Sequence, residues 1–426
     1  MMHYNMNILS KTLENGMHVY LVQKPDYKKS VFMLSTGTGG MDIEQVIENK
    51  EYKHKTGCAH YLEHQMFRLN GQDVMPEFAK MQSQANAFTS YDVTSYFFQT
   101  TSDIYKPLAL LMDFVENLDI TDASVEKERG IILSEYDMDQ QSPETRLIKL
   151  NYRGMYKNHP IRENILGTRD DISNMSVKDL TYFYNLNYDP SKLALIGITG
   201  QELEGIMDFI EDYQKKYPSK IELKPARIIR EEDLNVFEKE NEDYMDITKP
   251  FICIGYKMKP CQSIQEAIKI DTCIQMKLDS LFSPLNEEYQ KWLDARIISQ
   301  YTGAECDFNV NRSCILFYAQ TDQIDAFTNL IDRIVNEIKT KDMNDDVFEA
   351  LKASYIAQII RGMDQFDNLA MDLTRAYYEN FDFFENIKMS QSVTKEDIKE
   401  ECQKLDFSNR TITKIYPNEF KSSKNE

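Results

Sequence analysis

The sequence holds His60-Tyr61-Leu62-Glu63-His64, two histidines four apart with a glutamate before the second. On an α-helix, residues i and i+4 share a face, so both imidazoles can reach one metal ion. Two histidines fill only part of the three-residue shell of a catalytic zinc, whose remaining position holds water. Glu63 lies one turn on from His60, within reach of such a water. A third ligand is therefore expected. The stretch Val125-Glu-Lys-Glu128-Arg129-Gly-Ile-Ile-Leu-Ser-Glu135 reads as a second helix, with Glu128 and Glu135 two turns apart along one face. A five-residue pattern arises by chance, and a His/Glu cluster is often only a solvated helix face. The acidic pair, on a helix apolar at 131–133, lifts the pattern above that reading.

The elements around these residues must hold two helices together. Residues 17–23 and 30–36 read as strands, the second ending at the turn Gly37-Thr-Gly-Gly40. Residues 41–56 are polar and read as a loop, and Gly57 precedes a metal-binding helix at 58–69. A short helix at 76–82 leads to aromatic and β-branched strands at 84–90 and 94–101. A helix at 103–118 puts Leu108, Leu111, Met112 and Val115 on one face. The glutamate helix and a helical region to about 157 follow. A helix then lies within 170–188, with Ser176 and Asp179 as a capping box, and a strand at 193–198 closes this half. Alternating strands and helices argue an α/β or α+β sandwich.

The second half repeats the first. Phe98, Asp103, Leu111, Asp113 and Asn117 match Phe317, Asp322, Leu330, Asp332 and Asn336 at one offset of 219 residues. Thr394-Lys-Glu-Asp397 mirrors Ser176-Val-Lys-Asp179, and Asp406-Phe-Ser408 mirrors Asp189-Pro-Ser191. The expected organisation is a pair of homologous domains: 1–217 carrying the metal site, 218–248 a charged linker with the first strand of the second domain, and 249–426. All six histidines lie at or before His159. Setting Val125 against Val347 puts Ala357 opposite Glu135, so the second domain has no equivalent metal site and is read as structural or substrate-binding.

A chain of 426 residues with 42% hydrophobic content is ample for two cores. The net charge of −20 argues against nucleic acid as a partner. No apolar run approaches the ~20 residues needed to span a bilayer, and Met1–Lys11 lacks the apolar stretch of a signal peptide. Seven cysteines with no C-x-x-C argue against a disulfide framework or a cysteine zinc site, and the expected compartment is the cytoplasm. Cys58 is read as a small core residue. His54 and His159 are read as hydrogen-bonded or surface residues, and Glu126 and Glu144 as solvated charges.

The order His60-x-x-Glu63-His64, then Asn86-Ala87-x-Thr89, then Glu128-Arg129 and Glu135, resembles the M16 (pitrilysin and insulinase-like, inverzincin) metallopeptidases. Gly57-Cys-Ala-His60 and Gly167-Thr168 resemble that family's flanking segments, and the likeness covers nearly the whole chain. Phe78 to Ser90 is similar to small bacterial members associated with elongation factor P modification, and to proteases from peptide-bacteriocin clusters. The resemblance implies an α+β fold of two tandem α/β sandwich domains (M16/LuxS-like), forming half of a clam-shell. It implies Zn2+ held by His60, His64 and Glu135, with Glu63 as general base and Glu128 orienting a ligand. It implies that an extended peptide adds to the strand edge at Asn86, Ala87 and Phe88. The activity implied is zinc-dependent endopeptidase action on small or unfolded peptides, including maturation of a bacteriocin-type precursor, in a homodimer or a heterodimer with a second M16-like subunit. The alternative is a peptide-binding scaffold subunit with little proteolysis. One departure favours the alternative. The family's second domain often carries an Arg and a Tyr seven apart; here Leu293 falls at the Arg position, Ser299, Gln300 and Tyr301 lie near the Tyr position, and Arg296 and Tyr301 are five apart.

Overall fold

The computed structural model describes residues 6–219 and 225–420. Its described residues fall into two compact units that do not follow the two halves of the chain. One unit takes in the described residues up to Tyr136, those within Glu163–Ile229, and Gly362–Glu379; the other takes in Asp137–Arg162, Arg230–Arg361 and the described residues from Asn380 on.

The first unit is built on a six-stranded sheet in the order Asn7–Thr12, His18–Gln23, Leu193–Thr199, Ser30–Thr36, Thr94–Thr100, Ser83–Thr89. Only His18–Gln23 and Leu193–Thr199 pair in parallel; the other neighbours are antiparallel. Every residue of the two central strands, Ser30–Thr36 and Leu193–Thr199, is buried. Their near-continuous apolar run is what a strand covered on both faces requires. Helix Tyr105–Val115 lays Leu108, Leu111, Met112 and Val115 into this core. Helix Phe366–Tyr378, from the far end of the chain, packs on the two central strands. Its Tyr378 hydroxyl donates to the Ser35 and Lys192 carbonyls, at 2.5 and 3.0 Å.

The second unit repeats the order with five strands: Glu240–Met245, Arg410–Pro417, Phe251–Lys257, Ser313–Gln320, Thr302–Phe308. Again one pair is parallel, Glu240–Met245 with Arg410–Pro417, and the other neighbours are antiparallel. Its sheet takes helix Pro143–Met155, whose Asn151 Nδ2 donates to the Cys253 carbonyl and to Thr413 Oγ1 at 3.1 and 3.0 Å. The two exchanged helices begin 223 residues apart, at 143 and 366.

The repeat is therefore real, and its punctuation is chemical. Both capping boxes form, at Ser176/Asp179 and Thr394/Asp397. Asp189 accepts from the Ser191 backbone N–H and Asp406 from that of Ser408, at 3.1 and 2.9 Å. Helices Asp122–Gln141 and Asp345–Asp364 correspond at both ends with an offset of 223. The residue opposite Glu135 is thus Gln358, one place on from the Ala357 that the sequence alignment gave. Neither is a carboxylate.

Three local readings change. Residues 41–56 are not a loop: Glu44–Ile47 and Lys50–Lys53 form a hairpin, turned by Glu48 and Asn49 at φ +48° and +65°. Few of its residues are apolar, so hydropathy hides it. Ala226–Arg227 adds a third strand, fixed by Arg227 on Asp42 and Asp92. The helix expected at 58–69 stops at Met66, because Arg68–Leu69 and Gln72–Asp73 make a hairpin over Asn70-Gly71, both at positive φ. Asn-Gly is the strongest two-residue hairpin signal. The helix expected within 170–188 is two, Arg169–Ser173 and Val177–Asn187, split where Ser176 caps the second. Of the charged stretch 218–248, residues 220–224 lie outside the described ones, which removes Lys220, Glu222 and Lys224 from view.

Candidate metal centre

Helix Cys58–Met66 starts at Gly57, whose φ is +80°; a Cβ there would meet the Leu166 carbonyl oxygen at 2.2 Å. Only glycine fits both the backbone and the space. The facing segment answers in kind, since the Thr168 N–H donates to Thr56 Oγ1 at 2.9 Å and the Thr56 N–H to Asp171 Oδ2 at 3.0 Å. The two flanking motifs read from the sequence thus lock together and aim the helix. Cys58, Ala59, Tyr61, Leu62 and Met66 are buried in the core, and His60 is 7% exposed. Glu63 and His64 are half-buried.

Two side chains dock this helix on the first turns of Asp122–Gln141. The Tyr61 hydroxyl donates to the Val125 carbonyl at 2.6 Å. Gln65 donates to the Ser124 carbonyl at 3.3 Å and accepts from Ser124 Oγ at 2.8 Å. Arg129 holds the far side, donating to the Met175 carbonyl at 2.8 Å and pairing with Glu126. Helix Asp122–Gln141 is thereby fixed in rotation, and Glu128 and Glu135 face the imidazoles.

His60 Nε2 lies 3.6 Å from Glu135 Oε1, and His64 Nε2 lies 3.5 Å from Glu135 Oε2. The imidazole centroids are 4.8 Å apart and inclined by 58°. One donor atom from each of His60, His64 and Glu135 lies within 4.8 Å of the others, and no second such group occurs among the described residues. A tetrahedral zinc with bonds of about 2.0–2.1 Å sets its donors roughly 3.3–3.5 Å apart, so the two imidazole–carboxylate separations suit that ion. His64 Nδ1 has Glu128 Oε2 at 3.5 Å, the arrangement that fixes a ligating imidazole's tautomer. His60 Nδ1 is buried without a hydrogen-bond partner.

Three carboxylates and two imidazoles make a site that invites a cation. Glu135 is held well below the usual carboxylate range by His60 and then His64. Burial disfavours charge on His64, but Glu135, Glu63 and Glu128 outweigh it and raise the imidazole above its ordinary 6.5. Glu63 Oε2 accepts from the Thr89 hydroxyl at 3.0 Å. Asn86, Ala87 and Phe88 lie on strand Ser83–Thr89, which among the described residues pairs only with Thr94–Thr100 and is the sheet's edge. Asn86 is exposed, and its Oδ1 accepts from the Ala87 N–H at 2.9 Å.

His60, Glu63, His64, Glu128 and Glu135 are thus brought together, while His54 and His159 are engaged elsewhere. His54 Nε2 is 3.0 Å from Gln45 Oε1, and His159 Nδ1 accepts from the Ile161 N–H at 3.1 Å. Cys58 packs on Met175, and burial pushes its thiol up to about 12. Sequence reasoning missed Tyr61 and Gln65, which look like ordinary core and polar positions. It also gave Thr89 no role, although period-two alternation puts Thr89 on the strand face of Ala85 and Ala87, which pack on the core.

Residues 45–169 match the family model of insulinase (peptidase family M16), and residues 174–355 that of the peptidase M16 inactive domain. The chain is 28% identical over 95% of both sequences to YmfH of Bacillus subtilis, described as an uncharacterized zinc protease. It is 27% identical to the mitochondrial-processing peptidase subunit beta of Neurospora crassa, over 51% of this chain and 45% of that one. A putative M16-like peptidase from Alicyclobacillus acidocaldarius superposes with a TM-score of 0.91 at 25% identity, over 98% of this chain and 100% of that one. With its repeated sandwich, its two family matches and its full-length likeness to a zinc protease, the chain belongs to peptidase family M16.

Proposed function

We propose that this chain is a zinc-dependent endopeptidase acting on small or unfolded peptides. The observation that carries the reading is the convergence of His60 Nε2, His64 Nε2 and the Glu135 carboxylate on one point, with the Glu63 charge close enough to act on His64. Bound zinc would polarise the scissile carbonyl and lower the pKa of a water to about 7. His60, His64 and Glu135 would hold it, and Glu128 would keep His64 oriented. Glu63 takes the proton of the attacking water and delivers it to the leaving amine. The peptide lies extended along Ser83–Thr89, with main-chain bonds giving affinity and contacts near Asn86, Ala87 and Phe88 giving preference. Such a mode requires an unfolded segment.

Maturation of a precursor, including the leader peptide of a bacteriocin-type product, fits a peptidase of this kind. So does a dimer, with a second copy or with another M16-like subunit, since one relative is by name a subunit. All seven cysteines are free, which suits the reducing cytoplasm. A specific observation favours the scaffold alternative. Leu293, at the position where the family often carries Arg, packs against the second unit's core, and Arg296 stands five residues from Tyr301 rather than seven.

The test is cleavage of a quenched peptide library by the zinc-loaded chain, alone and mixed with an M16-like partner, against Glu63→Gln. Cleavage by the parent and not by the variant is expected. A zinc-loaded parent that binds peptides but cleaves none, with or without a partner, would leave the scaffold reading standing.

A further inference from the structure

Glu63 makes one side-chain hydrogen bond among the described residues, and its donor is Thr89. The two come from different elements: Glu63 from the histidine helix, Thr89 from the last position of the edge strand Ser83–Thr89. Thr89 is itself well anchored. It pairs in register with Thr94 on the neighbouring strand, and Thr94 Oγ1 donates to the Thr38 carbonyl at 2.8 Å. Thr89 is β-branched, so few χ1 rotamers are open to it in a strand, and its hydroxyl points to a fixed place. Glutamate has three side-chain torsions, and without a partner its carboxylate would sample several orientations. A general base displaced by about 1 Å can lose about a hundredfold in rate.

We propose that Thr89 is a positioning residue: its hydroxyl fixes the carboxylate of Glu63 from the same strand along which the peptide is laid. This rests on the peptidase reading above. One strand then serves two purposes. Its free edge takes the peptide main chain at 86–88, and its last side chain sets the group that removes the proton. Register between substrate and base is built into one short segment rather than left to two loops. The hydroxyl gives Glu63 a hydrogen-bond donor and leaves Oε1 to face the water.

Two variants test this on the zinc-loaded chain. Thr89→Val keeps shape and branching and removes the donor; Thr89→Ser keeps the donor. On a peptide the parent cleaves, Thr89→Val should lower kcat by about ten- to a hundredfold, with KM within about twofold and zinc content unchanged. Thr89→Ser should stay within about threefold of the parent. A parental kcat in Thr89→Val overturns the proposal, as does an equal loss in both variants. A second readout does not use turnover: crystal structures of the zinc-loaded proteins, read for the Glu63 carboxylate. One orientation is expected in the parent and in Thr89→Ser, and more than one in Thr89→Val. A single parental orientation in Thr89→Val sinks the positioning role even if no peptide is ever cleaved, whereas a silent parent with the expected orientations counts against the peptidase reading alone.

Discussion

Helices Asp122–Gln141 and Asp345–Asp364 have the same length and the same place in the repeat, yet only the first meets imidazoles. With the 223-residue offset, Val125 answers to Phe348, and both are buried. Glu128 answers to Leu351, which is packed in the second core, and Glu135 to Gln358. The fold asks for an inward-facing side chain at the 128/351 position. In the second unit a leucine supplies apolar area; in the first a carboxylate stands beside His64 instead. The candidate metal centre is thus a substitution of donors into positions that the scaffold otherwise fills with packing, at no change in backbone plan.

The comparison breaks most visibly at Glu63. Glu63→Gln should lower peptide hydrolysis by about 10²–10⁴-fold while zinc content, read by atomic absorption, stays at one per chain; undiminished turnover would remove Glu63 from its role. Next comes Glu135→Gln, which gives the first unit the second unit's residue. Zinc affinity by chelator competition should fall by more than about a hundredfold, beyond the range of outer-shell changes. The reciprocal Gln358→Glu should bind no second zinc, because no histidine accompanies it; two zinc ions per chain would refute the contrast.

Glu128→Leu imports the other half of the pattern. It should fold and weaken zinc by about 10–100-fold, and parental affinity would show that the 3.5 Å approach to His64 does nothing. Acidity acts in the same direction. Because the carboxylates raise His64, protons compete with zinc from a pH above 6.5 downward, so affinity measured from pH 8 to 5 should begin to drop before an ordinary histidine would titrate.

The smallest effect sharpens the comparison away from the site. At the repeat offset of 219, Glu116 answers to Val335, which packs on the second core. Burial pushes the Glu116 carboxyl up to about 8, although Gln214 donates to its Oε2 at 2.5 Å. Its folded-state pKa is therefore raised above the reference 4.5. Below pH 4.5 both states are protonated and nothing is lost; between 4.5 and 8 the unfolded chain releases a proton that the folded chain keeps, and stability falls. Glu116→Gln should remove that fall, adding about 1–2 kcal/mol at pH 8 after allowance for partial exposure and almost nothing at pH 4.5. Urea titrations at both pH values read it; an equal gain at both would point to some other cause.

The candidate metal ligands were legible because they are rare residues at helical spacing: His60 and His64 share one helix. Glu128 and Glu135 were legible by the same periodicity, and the duplicated caps at Ser176 and Thr394 because a capping box has a fixed three-residue spacing. What was hidden depends on contacts distant in sequence. Tyr61 and Gln65 look unremarkable until Val125 and Ser124 arrive beneath them. Arg227 reads as one more charge in an acidic stretch until Asp42 and Asp92 surround it. The Glu44–Lys53 hairpin carries too few apolar side chains for a period-two signal, and the exchange of Pro143–Met155 and Phe366–Tyr378 leaves no local trace at all.

A sheet margin left open invites any stray β-segment to join it, which is the usual route to clumping. Here the Asn86 amide oxygen occupies the Ala87 N–H, a plug made from the strand's own side chain. An incoming chain must offer a better acceptor to evict it. Removing the plug with Asn86→Ala should therefore make the protein stickier toward copies of itself before it changes any chemistry.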